Sequence, residues 1–444
     1  MRLLMRVTPI VVLSIVSLTI SACSLDDLLN GDKPVEGSVI DPNEVSTYEG
    51  AVGQYYATIQ AMSTAIAIVS EDVGVVTDEL SLYEGGNRVY FDTRNAGYGE
   101  EGMYSHSYTS LQTARVRAAQ ASDVLLRYGT AASYPLVGHA YALQAHAILL
   151  MAELFCSGVP LTDVPFEGGI RFTEGLSTAT LLNRAVALFD TAYQYGKDSL
   201  PIATFARVGK GRALLGLGKY AEAAQAVGDV PTDERYSIAF STLVEGVPFW
   251  TDPVFGGYRE YIVMNREGSN GIDWIATTPR QQDPRLPVPT SADSSAFMNP
   301  LRQLKYLSRS ALVIVADGIQ ARMIEAEAQL QLPNAPQGAW LETLNIARHT
   351  RGLTSLTDPG TAAQRVDLVF RERAFWFYLN GQRLGDMRRL VRNYGRLPIQ
   401  VYATGTYPLP RLMFPSYGNE YVFTLPKTEQ QYNPLYKGCI HKEP

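Results

Sequence analysis

A chain of 444 residues, 46% hydrophobic and 18% charged, has the balance of an ordinary globular protein and is long enough to bury a large core. Its formal net charge is −6; removing the first 22 residues, which hold Arg2 and Arg6 and no acid, takes away two positive charges and leaves −8. No basic face of the kind nucleic acid requires is suggested, while 26 Tyr against 15 Phe supply rings with a polar tip, suited to wet apolar surfaces or to the edge of a large core.

Arg2 and Arg6 precede an apolar run from Val7 to Ala22 that ends in small residues and is shorter than a membrane-spanning helix needs. It reads as a cleaved export signal covering residues 1–22. Ile20, Ser21, Ala22 and Cys23 resemble the lipobox at which bacterial lipoproteins are cut and acylated, which makes Cys23 the expected lipidation site. Ser24, Leu25, Asp26 and Asp27 resemble the acidic tag that sends such proteins to the outer face of the outer membrane. Acyl chains contribute about 0.8 kcal/mol per buried methylene, and more than one chain makes the anchor stable. With Cys23 lipidated, Cys156 and Cys439 remain. In an exported protein an even remainder suggests one disulfide, and the alternative is two unrelated buried thiols.

Residues 23–40, with Gly31, Pro34 and Gly37, read as a tether, and 41–444 as one domain. Asp41, Pro42, Asn43 and Glu44 form a helix-start grouping, after which Val45, Tyr48, Val52, Tyr55, Ile59, Met62 and Ile66 share a face. The segment from Leu82 to Tyr108 mixes five glycines with Tyr83, Tyr90, Phe91, Tyr98, Tyr104 and Tyr108. It reads as a loop whose rings either face solvent as a ligand platform or staple it to the core.

Helical patterning returns at Ser110–Tyr128, Pro135–Phe155 and Thr178–Gly196. From Ala213 to Ala224, small residues allow close helix approach, Gly216 and Gly218 allow a turn, and Tyr220 packs across it, which matches the tetratricopeptide-repeat pattern. Residues 231–310 lose the helical period and gain prolines, with Trp250 and Trp274 among Phe249, Phe255, Tyr258 and Tyr261. An irregular stretch of that length is usually functional, and rings on such loops suit the CH-rich faces of carbohydrate, although a Trp is often packing. Trp250, Trp274, Tyr83 and Tyr98 are the candidate ligand-binding residues.

Asp317 is placed to cap a helix on which Ile319, Met323, Ala326 and Leu330 share a face. Another helix follows at Leu341–Arg351, and from 366 to 392 an amphipathic helix stops at Gly381 and restarts with Arg383, Asp386, Arg388 and Arg389. These cations beside Glu372 and Asp386 can pair as guanidinium forks, most simply as an ion network pinning a helix-turn-helix into the core. The expected scaffold is therefore residues 41–230 and 311–395, around a loop-rich ligand region at 231–310, with an irregular tail at 396–444.

Catalytic signatures are weak. The sequence holds no His-Glu-x-x-His, no Gly-x-Ser-x-Gly and no paired-cysteine zinc spacing. His139 and His146 lie two helical turns apart, too far to share one metal without other ligands, and Lys219 is followed by Tyr220 where a phosphate loop has Ser or Thr.

Five stretches together resemble the SusD/RagB family of surface nutrient-binding lipoproteins. They are Cys156–Leu161; Asp283, Pro284 and Arg285; the helix from Ala316 to Ala328; Arg371, Glu372 and Arg373 followed by Gly381, Arg383, Asp386 and Arg389; and Leu425–Glu429 with Asn433 and Pro434. The chain departs from the family pattern at Asn380 and Gln382 on either side of the turn glycine, and at Leu425 and Lys427. The resemblance implies a mostly α, tetratricopeptide-like helical repeat scaffold (SusD-like) with a loop-rich insertion, lipid-anchored in the outer membrane. It also implies a lid on a SusC-like TonB-dependent transporter that captures an oligosaccharide or similar nutrient without cleaving it and uses no cofactor. A surface enzyme degrading the same polymer, or a repeat scaffold for protein assembly, are the readings from other classes.

Overall fold

Capped helices that pair with their sequence neighbours build most of the protein. The structure, a computed structural model, describes residues 46–82, 89–95, 103–166, 169–239, 261–263, 267–275, 282–287, 303–308, 311–408 and 414–442. Helix α1 (Tyr48–Val76) is capped by Thr47, whose hydroxyl accepts from Gly50 N at 3.1 Å. The start grouping at residues 41–44 lies outside the described residues, as do the signal, the tether and Cys23. Strand β1 (Ser81–Leu82) and a short helix α2 (Val89–Asp92) come next. Helices α3 (Met103–Tyr128), α4 (Tyr134–Leu154), α5 (Thr178–Gly196), α6 (Leu200–Gly216) and α7 (Tyr220–Val227) follow. Strands β2 (Arg235–Ala239), β3 (Tyr261–Ile262) and β4 (Leu312–Asp317) precede α8 (Gly318–Gln331), α9 (Ala339–His349), α10 (Ala362–Trp376), α11 (Arg383–Tyr394), α12 (Pro398–Val401) and α13 (Lys427–Tyr432).

Packing follows the order of the chain, α3 on α4, α4 on α5, α5 on α6, α6 on α7 and α8 on α9, with α1 laid on α3. Such nearest-neighbour stacking is what a helical repeat needs in order to bury each apolar face. Close approach is set by small residues: a Cβ on Gly138 of α4 would stand 2.5 Å from Gly196 N of α5. The expected repeat turn is present, with α6 ending at Gly216, Gly218 at φ +71° and Tyr220 opening α7. Helices α1 and α4 are apolar enough to cross a membrane, yet 78% of the apolar window in each is buried, so they are core helices.

Among the described residues, two small sheets tie the irregular region back to this scaffold. β2 pairs antiparallel with β4 from Arg235↔Asp317 to Ala239↔Leu312, with a bulge after Tyr236, and β1 pairs with β3. Asp317 closes β4 and caps α8 by accepting from Gln320 N at 2.7 Å. Cys156, just past α4, is bonded to Cys439 in the tail, with Cα atoms 5.8 Å apart, which decides between the bridge and the two free thiols.

The charged stretch at 371–389 is an ion network in the core. Arg373 grips Asp386 with two nitrogens at 2.7 and 2.8 Å, Arg389 bonds Asp386 at 2.9 Å, and Arg389 also holds Glu327 of α8 at 3.0 and 2.7 Å. Burial alone would raise the Asp386 pKa, but Arg373 and Arg389 hold it below the usual carboxylate range. Glu372 accepts from Arg285 at 2.6 Å and from Arg348 at 2.7 Å, so the Asp283–Arg285 stretch belongs to the same architecture. Glu372 and Arg373, placed by helical spacing on the polar side of α10, are buried by these pairings, while Asp367 and Arg371 stay exposed.

Candidate ligand-binding site

Of the four rings expected to meet ligand, Trp250, Tyr83 and Tyr98 lie outside the described residues. Trp274 departs from that expectation. It is 1% exposed, its ring centroid 5.3 Å from Phe375 and 5.6 Å from Tyr378, with the Arg383 guanidinium 5.1 Å from its centroid. The faces a sugar would need are taken by α10 and α11, so Trp274 is core. In the glycine-aromatic segment, Phe91 and Tyr108 are likewise buried, and the Tyr108 hydroxyl donates to Glu429 at 2.9 Å.

The loop roots converge on one polar floor. Asp92, the last residue of α2, accepts at Oδ2 from Leu82 N at 3.2 Å, from the Ser81 hydroxyl at 3.1 Å and from the Tyr407 hydroxyl at 2.6 Å. Tyr417 donates to Asp78 at 3.0 Å, and the Tyr407 and Tyr417 rings lie 5.0 Å apart. The Arg94 guanidinium sits 5.0 Å from the centroid of Tyr417, 5.4 Å from Tyr402 and 5.9 Å from Tyr421, and donates to the Ala403 carbonyl. Stacking on rings suits a planar, weakly hydrated cation.

Beside this group, Glu79 accepts from Leu379 N at 3.1 Å, and the Tyr378 hydroxyl donates to the Glu79 carbonyl at 3.1 Å. Lys305 donates to the Tyr378 carbonyl and, at 2.7 Å, to Asn380 Oδ1. Arg383 pairs with Glu267 at 2.7 Å. Burial pushes the Glu79 carboxyl up to about 7 and the Lys305 amine down to about 8, and it carries Asp78 well above the usual range.

Three non-glycine residues in this floor have left-handed backbone: Asp78 at φ +57°, Arg94 at φ +55° and Leu379 at φ +54°. Such conformations cost on the order of 1–3 kcal/mol each and gather where a structure holds function in place. Asp78, Glu79 and Asp92 are at most 2% exposed, so their carboxyls are spent on protein partners. They fix the backbone from which the loops depart. Tyr83 is the residue after Leu82, and Tyr98 is three residues past Asn95, whose amide donates to Ser416 O at 3.2 Å.

No protein-family model matches the sequence, and no curated protein does. Solved structures do match the fold. A SusD superfamily protein from Bacteroides vulgatus ATCC 8482 has a TM-score of 0.64 at 15% identity, covering 89% of this chain and 99% of that one. The chain has the SusD-like fold. A SusD-like carbohydrate binding protein from the same organism aligns with a TM-score of 0.61 at 13% identity, over 88% of this chain and 97% of that one. Surface glycan-binding protein A from Bacteroides thetaiotaomicron aligns with a TM-score of 0.58 at 14% identity, over 90% and 100%.

Within this SusD-like fold, the floor residues that the sequence did not disclose are Asp78, Glu79, Asp92, Arg94, Lys305, Tyr407 and Tyr417. They come from five separated segments, and no short spacing links one segment to the next. The left-handed positions carry no glycine that would announce them. Among the described residues, no group of three His, Cys, Asp or Glu side chains is placed to hold a metal ion.

Proposed function

We propose that this protein is a surface receptor that binds an oligosaccharide without cleaving it and delivers it, as a lid, to a SusC-like TonB-dependent transporter in the outer membrane. The observation that carries the reading is a SusD-like fold over about nine-tenths of the chain, shared with proteins named for carbohydrate and glycan binding. The floor supports it physically. Rigid backbone next to Tyr83 and Tyr98 in the chain lets rings be presented at low entropic cost, which is how preorganised sites gain affinity. In this reading Tyr83, Tyr98 and Trp250 stack on sugar rings, and acyl chains on Cys23 hold the protein at the membrane.

The test is a glycan array with the mature protein, followed by calorimetry on any hit and chromatography of the sugar after prolonged incubation. Saturable binding with the sugar recovered intact is expected. Steady conversion to shorter fragments would replace the receptor with an enzyme, and no binding to any glycan would remove the sugar reading. The anchor has its own arm: Cys23→Ala should move the protein to the soluble fraction in cells lacking the transporter, and retention in membranes at the wild-type level would refute lipidation.

A further inference from the structure

The Lys305 amine and the Asn380 side-chain amide meet across 75 positions of chain. Lys305 Nζ donates to Asn380 Oδ1 at 2.7 Å and to the Tyr378 carbonyl, and the Tyr306 hydroxyl donates to the same Oδ1 at 2.9 Å. Two donors on one atom identify it as the amide oxygen. Asn380 Cγ therefore lies one bond beyond the atom that Lys305 touches, and Nδ2 is the group left over.

Each partner is held from its own side. Gln303 Oε1 accepts from Lys305 N at 2.8 Å and from Tyr306 N at 3.0 Å. Asn380 stands between Leu379 at φ +54° and Gly381 at φ +70°, with its N–H bonded to the Phe377 carbonyl at 2.8 Å. Fixing two reactants in contact turns an encounter into an intramolecular step.

The surroundings supply what acyl transfer needs. An ammonium cannot attack a carbonyl, but burial brings the Lys305 amine down to about 8, helped by Arg351 and opposed by Glu79 and Asp317, so a neutral fraction exists near neutral pH. Tyr306 already donates to the oxygen on which charge would develop, and burial raises its pKa, so it keeps its proton. Among the described residues, Glu79 is the acid that acts most strongly on Lys305. It sits beside Asn380: its Oε1 accepts from Leu379 N at 3.1 Å, while Oε2 is buried without a hydrogen-bond partner.

We propose that Lys305 and Asn380 become joined by an isopeptide bond that the protein forms itself. Glu79 takes one proton from the Lys305 ammonium. The Nζ lone pair then bonds to Cγ, and Tyr306 holds the charge on Oδ1. Glu79 passes its proton to Nδ2 and takes another from Nζ as the bond from Cγ to Nδ2 breaks. One ammonia leaves, a secondary amide remains and Glu79 ends protonated, with no oxidant consumed. Asn380 is one of the departures from the SusD/RagB pattern, and an amide there carries the leaving group. The bond ties residues 303–308 of the loop-rich region to the turn between α10 and α11, and unlike the bridge from Cys156 to Cys439 it survives reductant.

The experiment is a tryptic map of the full-length protein, purified in detergent, then reduced, alkylated and denatured before digestion. Trypsin does not cut after an acylated lysine. The expected product is a branched species joining residues 303–309 to residues 374–383, lighter than the two peptides together by one ammonia. Asn380→Ala and Lys305→Arg should each abolish it. In samples taken at intervals after synthesis, Glu79→Gln should slow its appearance by about a hundredfold or more. Cleavage after Lys305 together with a linear 374–383 peptide, its Asn380 intact or deamidated, overturns the bond. That result is read on wild type alone, so a variant that fails to fold does not blunt the test. Formation at the wild-type rate in Glu79→Gln overturns the proton-carrying role given to Glu79.

Discussion

The Tyr407 hydroxyl donates to the Asp92 carboxylate at 2.6 Å, joining the C-terminal segment to the short helix α2. That same carboxylate oxygen holds Ser81 and Leu82 N, so one buried acid sets the spacing of three chain segments.

Tyr407→Phe keeps the ring and removes the donor. Loss of a hydrogen bond to a buried carboxyl acceptor is expected to cost about 1–3 kcal/mol of stability. Binding should weaken too, because β1, which ends one residue before Tyr83 in the chain, loses a brace. Denaturant melts and glycan titrations check both; a variant with wild-type stability would show that Asp92 is held adequately by its other partners.

Acid should destabilise the helical scaffold through His139. Tyr55 and Tyr236 flank its ring, at 2.7 Å from Nδ1 and 2.6 Å from Nε2, and burial lowers its pKa to about 4. A group whose folded pKa is depressed from about 6.5 contributes stability above pH 6.5 and loses it as pH falls toward 4. His146 shifts in the same sense, while Glu79, raised to about 7, acts oppositely because its stabilisation is present below pH 4.5 and lost on the way to 7. The measurement is therefore a difference: the melting temperature of His139→Gln relative to wild type should rise as pH drops from 7 to 4.5. A constant difference would remove His139 as a contributor.

Reduction of the bridge between Cys156 and Cys439, 283 positions apart, opens a very long loop. Chain entropy assigns closure of such a loop about 5 kcal/mol, although measured values often fall below this. A Cys156→Ser, Cys439→Ser double variant should therefore melt several degrees lower and resemble reduced wild type. Alkylation of both thiols in denatured, unreduced wild type would show that the bridge is absent from the protein.

Most of the scaffold could be read from sequence because its signals are local. Helical periods, the Asp317 cap and the turn at Gly216 and Gly218 each occupy a few consecutive residues. Pairing of β2 with β4 could not be read, since nothing local says that Tyr236 meets Ala316. The floor was hidden for the same reason, and for a second one. Asp78 and Arg94 adopt left-handed backbone without glycine, held there by tertiary contacts that a sequence pattern does not contain.

Trp274 gives the sharpest prediction. A tryptophan among prolines and glycines looks the same whether it faces a sugar or a core, and only its neighbours decide. Here Phe375 and Tyr378 pack against its ring, and Arg383 stacks on it while pairing with Glu267. Trp274→Ala should therefore cost about 3–5 kcal/mol of stability, as large-to-small changes in cores do. Trp250→Ala should behave in the opposite way, with melting near wild type and glycan affinity lower by about 1–3 kcal/mol, roughly 5-fold to 150-fold in Kd. Both variants are measured by calorimetric melting and by titration with the same glycan. A Trp274→Ala protein that melts like wild type but no longer binds would return that ring to the ligand site and refute the packing described for it. A Trp250→Ala protein that binds normally would shift recognition to Tyr83 and Tyr98.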